Sequence, residues 1–97
     1  MFHVEKLPQS DLHKVLFTFS GGPGHQVALT GSFNDWDPAK LFMEYLDSEN
    51  LYTVELQLAA GCYEYKFIID GEWVTDLDNT SFSANDFGTL NSVLNIG

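Results

Sequence analysis

The chain has 97 residues, with 14 acidic and 4 basic side chains and a formal net charge of −10. This length suits one domain with one modest core, and a hydrophobic content of 44% is typical of a folded rather than a disordered chain. The negative charge repels phosphate, which argues against nucleic acid and membrane surfaces as partners but does not disfavour a neutral ligand.

The N-terminal residues 1–12 show no sustained periodicity, so we interpret them as an arm or edge segment and predict that the domain spans residues 13–97. No signal-peptide pattern is present, and no apolar run approaches the roughly 18 residues of a spanning helix. The single Cys62 allows no internal disulfide and fits a reducing compartment. We therefore expect a cytoplasmic protein.

Alternating apolar and polar residues predict about seven short strands. They span residues 13–20, 26–30, 41–46, 51–58, 62–69, 72–75 and 91–96. Residues 75–86 are predicted to form a polar loop, and no segment holds a helical period long enough for a substantial helix. Closely spaced strands with turn signals between them predict an all-β sandwich.

The dipeptide Asp70-Gly71 is the strongest hairpin signal, because a two-residue type I′ loop requires positive φ at both positions. In that register Lys66 and Trp73 project from one face as diagonal neighbours. The opposite face is apolar and is predicted to be core; it carries Tyr63, Tyr65, Phe67 and Ile69. A flat ring beside a long hydrogen-bond donor suits a sugar, which has an apolar C–H face and a rim of hydroxyls.

A second tryptophan, Trp36, lies inside the polar turn at residues 31–38 rather than in a strand. Gly31 allows the preceding strand to end or bulge there. A ring in this position is either a core plug or a binding platform, and the pattern leaves both open. Lys66 likewise has two readings: a ligand contact, or a solvated lysine that pairs with a neighbouring acid.

Three blocks of sequence combine these features: residues 31–36 (GSFNDW), 63–73 (YEYKFIIDGEW) and 87–93 (FGTLNSV). In order and spacing they resemble the signature blocks of family-48 carbohydrate-binding modules, above all the glycogen-binding domains of AMP-activated protein kinase β subunits. The resemblance implies an immunoglobulin-like antiparallel sandwich that binds α-1,4-linked glucans such as glycogen, starch, maltooligosaccharides or cyclodextrin. It also implies that the chain is not an enzyme.

Matched position by position, the resemblance implies that Trp36 and Trp73 stack on glucose rings. It implies that Lys66 and Asn91 bond sugar hydroxyls and that Thr89 makes a neighbouring polar contact. Phe87 stands where the kinase domains have a leucine that leans into the curve of the glucan.

The sequence departs from the family in the segment after the second tryptophan. Relatives commonly have prolines near Leu77 and Thr80, and without them we expect a less rigid loop and a lower affinity. In the kinase β subunits a complex-forming region follows this domain, and we expect none within a chain that ends at Gly97.

A second function from another class stays open. An immunoglobulin-like domain can dock to a kinase complex or to an amylolytic enzyme while its sugar site is vestigial. A glycosidase is a third possibility, but a small sandwich offers little cleft for a pair of catalytic carboxylates, and most of the acids lie in turns where solvation explains them.

No cofactor or metal is expected. Asp76, Asp78 and Asn79 offer oxygen ligands for Ca²⁺, but the spacing and the glycine of an EF-hand are missing. The three histidines have no partners at zinc spacing. The expected partners are an α-glucan and, alternatively, a kinase or a glucan-metabolising enzyme.

Overall fold

The computed structural model describes residues 2–79 and 81–97, so that Met1 and Thr80 lie outside the described residues. Ten strands form two antiparallel sheets, and the described residues contain no α-helix. The strands are β1 Phe2–Lys6, β2 Leu12–Ser20, β3 Val27–Gly31, β4 Leu41–Phe42, β5 Glu44–Leu46, β6 Leu51–Ala59, β7 Gly61–Ile69, β8 Glu72–Val74, β9 Phe82–Ala84 and β10 Leu90–Ile96. The predicted all-β antiparallel sandwich is confirmed.

The first sheet has the strand order β1-β2-β6-β5, and the second has the order β4-β3-β7-β10-β9. The short strand β8 pairs with the C-terminal end of β7, beyond the part of β7 that pairs with β10. The core between the sheets consists of Val15, Phe17, Val27, Leu29, Met43, Tyr52, Tyr65, Phe67, Leu94 and Ile96. Burying each large apolar side chain stabilises the fold by about 1.5–3 kcal/mol, so the apolar faces of the two sheets pack against each other.

The core face predicted for β7 is confirmed. Tyr65 and Phe67 are almost fully buried, and Tyr63 and Ile69 are partly buried against the same cluster. Since successive side chains of a strand point to opposite faces, the residues between them face away from the core. That outer face carries the candidate site.

Residues 2–6 belong to the segment interpreted as an arm or edge, and they form the edge strand β1, which pairs with β2.

One of the predicted strands is organised differently from the prediction. The run at residues 41–46 is not one strand, because β4 pairs with β3 in the second sheet and β5 pairs with β6 in the first. Between them Met43 is buried, and its N–H donates to the Val27 carbonyl at 2.8 Å. A single alternating run therefore crosses from one sheet to the other.

The predicted polar loop at residues 75–86 is wrong in part, because it contains the strand β9. This strand pairs with β10, with Ser83 opposite Asn91. The strand is only three residues long and lies between polar residues, so it offers too short a pattern to predict, and it forms by pairing with the edge of β10.

The predicted β7–β8 hairpin is confirmed in both its turn and its register. Asp70 and Gly71 have φ values of 50° and 87°, and Ile68 is paired with Trp73. The Asp70 carboxylate forms hydrogen bonds with the two residues that precede β3. A hydrogen bond with the His25 ring at 2.6 Å, and a second with the Gln26 N–H, lower the pKa of Asp70 below its usual value.

A buried polar cluster corrects the interpretation of the acids as solvated turn residues. Asp76 is 4% exposed and accepts a hydrogen bond of 2.6 Å from the Tyr65 hydroxyl. Asn79 donates to the same hydroxyl and to the Val93 carbonyl, and the Asp76 N–H donates to Ser92. Burial, and then the bond to Asp76, raise the pKa of Tyr65. These bonds constrain the path of the segment after Trp73.

We predict that Tyr65→Phe lowers the free energy of unfolding by about 2 kcal/mol, because it removes a donor from a buried carboxylate. The matched control is Tyr63→Phe, whose hydroxyl donates to the Ala59 carbonyl in an exposed bond, so that its loss costs less than about 1 kcal/mol. Urea denaturation of the two variants measures the difference. Equal losses would contradict a stabilising role for the buried cluster.

Candidate carbohydrate-binding site

An open concavity of about 730 Å³ lies on the outer face of the second sheet. Its lining consists of Trp36, Glu64, Lys66, Trp73, Ala84, Asn85, Asp86, Phe87, Thr89 and Asn91. All six residues of the predicted site are among them, although they come from strands and loops that are far apart in the sequence. The structure therefore brings the predicted site residues together.

The pairing of β7 with β8 and β10 places Lys66, Trp73 and Asn91 on the floor of the concavity. Lys66 alternates with the core residue Tyr65 and so faces outward. Trp73 shares that face because it is paired with Ile68, two residues along β7. Asn91 shares it because its neighbour Ser92 is paired with Tyr65 on the core side.

The segment after β3 holds Trp36 at one side of the concavity. A 3-10 turn at Ser32–Asn34 begins there, and the Asn34 side chain accepts a hydrogen bond from the Gly31 N–H at 3.0 Å. The Trp36 N–H donates to the Gly31 carbonyl at 2.9 Å. Asp35 and Trp36 have φ values of 56° and 58°, a left-handed conformation that a bulky residue rarely adopts and that costs about 1–3 kcal/mol. The hydrogen bonds offset this strain and position the ring.

Three aromatic rings surround the polar floor. Trp36 is partly buried, Trp73 is 48% exposed, and Phe87 is 90% exposed. Neither tryptophan belongs to the core cluster, so the core-plug reading does not describe either ring. An exposed ring beside polar groups is free to stack on an apolar ligand face.

Lys66 is only 6% exposed, which differs from the reading of this residue as a solvated surface lysine. Its Nζ donates to the Thr89 hydroxyl at 3.0 Å. The aliphatic stem is buried along the sheet while the ammonium group reaches the concavity. A partly desolvated ammonium group forms stronger hydrogen bonds than one in water.

Asn85 organises the connection between β9 and β10. Its Oδ1 accepts hydrogen bonds from the N–H groups of Phe87 and Thr89, at 3.0 and 3.1 Å. Its Nδ2 donates to the Thr89 hydroxyl at 2.7 Å and to Asn91 Oδ1 at 2.9 Å. Asn91 in turn donates to Glu64 Oε1 at 3.2 Å. One hydrogen-bonded chain therefore runs across the floor.

The predicted site omits Glu64 and Asn85. Glu64 lies two residues before Lys66 on the same face of β7, so the alternation that selected the lysine also selects this acid. Asparagine side chains often form hydrogen bonds with the backbone of a turn. The sequence does not reveal that Asn85 lies in such a turn, because strand β9 before it is not predicted.

Residues 2–79 and 81–97 contain no group of three or more His, Cys, Asp or Glu side chains arranged to hold a metal ion. In the same part of the chain there is no helix that is long and apolar enough to span a membrane.

A β-sandwich that presents a partly buried and a half-exposed tryptophan over a polar floor has the features expected of a carbohydrate-binding module. Residues 13–97 match the family described as the glycogen recognition site of AMP-activated protein kinase. The chain belongs to this family, which confirms the resemblance predicted from the three sequence blocks. Members of this family are non-catalytic binding modules, so the prediction that the chain is not an enzyme is confirmed.

Similar proteins include 5'-AMP-activated protein kinase subunit beta-1 of Rattus norvegicus, which is 33% identical over 92 residues, or 95% of this chain and 32% of the relative. The beta-1 subunit of Sus scrofa is 33% identical over 84% of this chain and 62% of the relative. The beta-2 subunit of Mus musculus is 29% identical over 92% of this chain and 31% of the relative. The chain spans less than two thirds of the length of each of these relatives.

We predict that Gly31→Ala destabilises the protein by about 1–3 kcal/mol, because a Cβ at this position would lie 2.4 Å from the Glu64 carbonyl oxygen. The strand carrying the Trp36 turn would have to move away from β7. The matched control is Gly22→Ala, where a Cβ meets nothing within 4 Å. Chemical denaturation monitored by tryptophan fluorescence compares the two. A Gly31→Ala variant as stable as the control would refute the close approach.

Proposed function

We propose that the chain binds α-1,4-linked glucans, such as glycogen, starch, maltooligosaccharides and cyclodextrin, in the concavity on the second sheet. The main support for the proposal is that all six site residues predicted from the sequence line the same concavity. They are Trp36, Lys66, Trp73, Phe87, Thr89 and Asn91. The membership of the chain in a glycogen-recognition family supports the same ligand class.

In this proposal the rings and the polar floor bind different parts of the sugar. Trp36 and Trp73 stack on the C–H faces of glucose units, which buries apolar surface on both sides. Lys66, Thr89 and Asn91 bond the hydroxyls at the rims of the same units. Ligand recognition then needs both the ring faces and the correct hydroxyl positions.

Phe87 takes part as a third aromatic contact. It lies near the tip of the β9–β10 connection and is the most exposed large apolar side chain among the described residues. A ring projecting beside a concave floor suits a glucan that curves, as α-1,4-linked chains do, better than a straight β-1,4-linked chain. We expect Phe87 to contact the inner side of that curve.

A docking role is the second candidate function, in which the sugar site is vestigial. It is supported by the names of the relatives, which are subunits of 5'-AMP-activated protein kinase. The partner in that case is a kinase-containing assembly or a glucan-metabolising enzyme, and the proposed location for either function is the cytoplasm.

We predict a saturable change in tryptophan fluorescence when maltoheptaose or β-cyclodextrin is added, and none with cellohexaose. Trp36→Ala and Trp73→Ala each weaken α-glucan binding about tenfold or more, because each removes a stacking face. Both variants keep their unfolding free energy to within about 1 kcal/mol, because neither ring is part of the core. Unfolding of either variant, or no α-glucan binding by the folded chain, would favour the docking role.

We predict that α-glucan affinity changes less than about twofold between low and high salt, because the ligand is neutral and screening acts on charged pairs. Isothermal titration calorimetry with maltoheptaose at two salt concentrations measures this. The net charge of −10 makes the test informative, since a steep fall of affinity with salt would reveal an ionic ligand or partner instead.

A further inference from the structure

The floor of the concavity contains one acidic side chain with a defined orientation, Glu64. It is partly buried on the outer face of β7, and its backbone N–H donates to the Ser32 hydroxyl at 3.1 Å. Its Oε1 accepts a hydrogen bond from Asn91 Nδ2 at 3.2 Å. A carboxylate has about four acceptor positions, so one bond from Asn91 leaves acceptor capacity that faces the concavity.

The directions of the hydrogen bonds that lead from Asn85 through Asn91 to Glu64 follow from the orientation of the Asn85 amide. Two backbone N–H groups, those of Phe87 and Thr89, donate to its Oδ1, and a backbone N–H cannot exchange its role with an acceptor. The amide of Asn85 is therefore oriented with its Nδ2 toward the floor. There it must meet acceptors, and it meets the Thr89 hydroxyl oxygen and Asn91 Oδ1.

The same reasoning orients the next two residues. Because Asn91 presents Oδ1 to Asn85, its Nδ2 is directed toward Glu64. The partner of that Nδ2 must be an acceptor, and an ionised carboxylate is acceptor-only. Backbone groups of the β9–β10 connection thus impose an acceptor at position 64.

Thr89 and Lys66 are both oriented as donors toward the concavity. Thr89 Oγ1 accepts from both Lys66 Nζ and Asn85 Nδ2, which uses both of its lone pairs and leaves its own O–H to donate. Lys66 has three N–H bonds, of which Thr89 receives one. A sugar hydroxyl that accepts from these donors still has a hydrogen to give, so a site of donors alone would leave it unsatisfied.

We propose that Glu64 is an acceptor for glucan hydroxyl hydrogens in this site and that its carboxylate is required for full affinity. The inference rests on the proposed glucan-binding function and adds a residue to it. An O–H donated to a carboxylate makes a charge-assisted hydrogen bond, which is stronger than one between neutral groups. Asn85 acts on the ligand only indirectly, as the residue that positions Asn91 and through it Glu64.

The sharpest test is Glu64→Gln, which preserves the shape of the side chain but replaces one acceptor oxygen with an NH₂ donor. The Asn91 Nδ2 selects the glutamine oxygen as its partner, so the glutamine Nε2 is left to face the ligand as a donor. We expect binding of maltoheptaose to weaken about tenfold, as for the loss of one hydrogen bond to a charged group. The control is Glu72→Gln, which makes the same change of charge beside Trp73 but outside the lining of the concavity.

A second variant, Glu64→Ala, gives a second readout. It removes the carboxylate without placing a donor in the concavity, so we expect it also to weaken the binding of maltoheptaose. The other acidic side chain that lines the concavity is Asp86, on the β9–β10 connection. The matched control is Glu72→Ala, which lies outside the lining and is expected to keep the affinity of the unchanged chain.

The outcomes separate the inference from the function on which it rests. Weaker binding by Glu64→Gln, with an unchanged fold, supports it. Equal affinity of Glu64→Gln and the unchanged chain would overturn the role of Glu64 while glucan binding stands. If Glu64→Gln does not fold, an unchanged affinity of Glu64→Ala would overturn it in the same way. No α-glucan binding by the unchanged chain would overturn both proposals.

Discussion

Strand β7 is the element on which both the fold and the site depend. Its core face packs Tyr65 and Phe67 against the opposite sheet, and its outer face places Glu64 and Lys66 on the floor of the concavity. Because side chains of a strand alternate, a shift of one residue in its register would exchange the two sets and lose the core and the site together. Core packing on one face therefore sets the spacing of polar groups on the other.

The buried polar cluster links that strand to the segment that follows Trp73. A buried carboxylate is costly unless it is hydrogen-bonded, and the Asp76 carboxylate accepts hydrogen bonds from the Tyr65 hydroxyl and the Asp78 N–H. This requirement makes the path of the chain after β8 specific. Ser92 on β10 completes the cluster by accepting a hydrogen bond from the Asp76 N–H.

Preorganisation of the site has two local sources. Asp35 and Trp36 adopt a left-handed backbone that hydrogen bonds to Gly31 and Asn34 hold in place. On the other side, Asn85 ties the β9–β10 connection to its own backbone. Both devices reduce the conformational entropy that a ligand would otherwise have to remove on binding. The rings and the polar groups are thus arranged before any sugar arrives.

The sequence by itself determined the sandwich, the Asp70-Gly71 hairpin and the core face of β7, because these depend on local periodicity and turn chemistry. The hairpin register also placed Lys66 and Trp73 on one face, and the resemblance of the three sequence blocks to the family added Trp36, Phe87, Thr89 and Asn91. Only the tertiary structure decided that residues 41–46 divide between the sheets at Met43, that β9 exists and that Lys66 is buried. Those outcomes depend on pairing and burial between segments distant in the chain, for which no local pattern carries a signal.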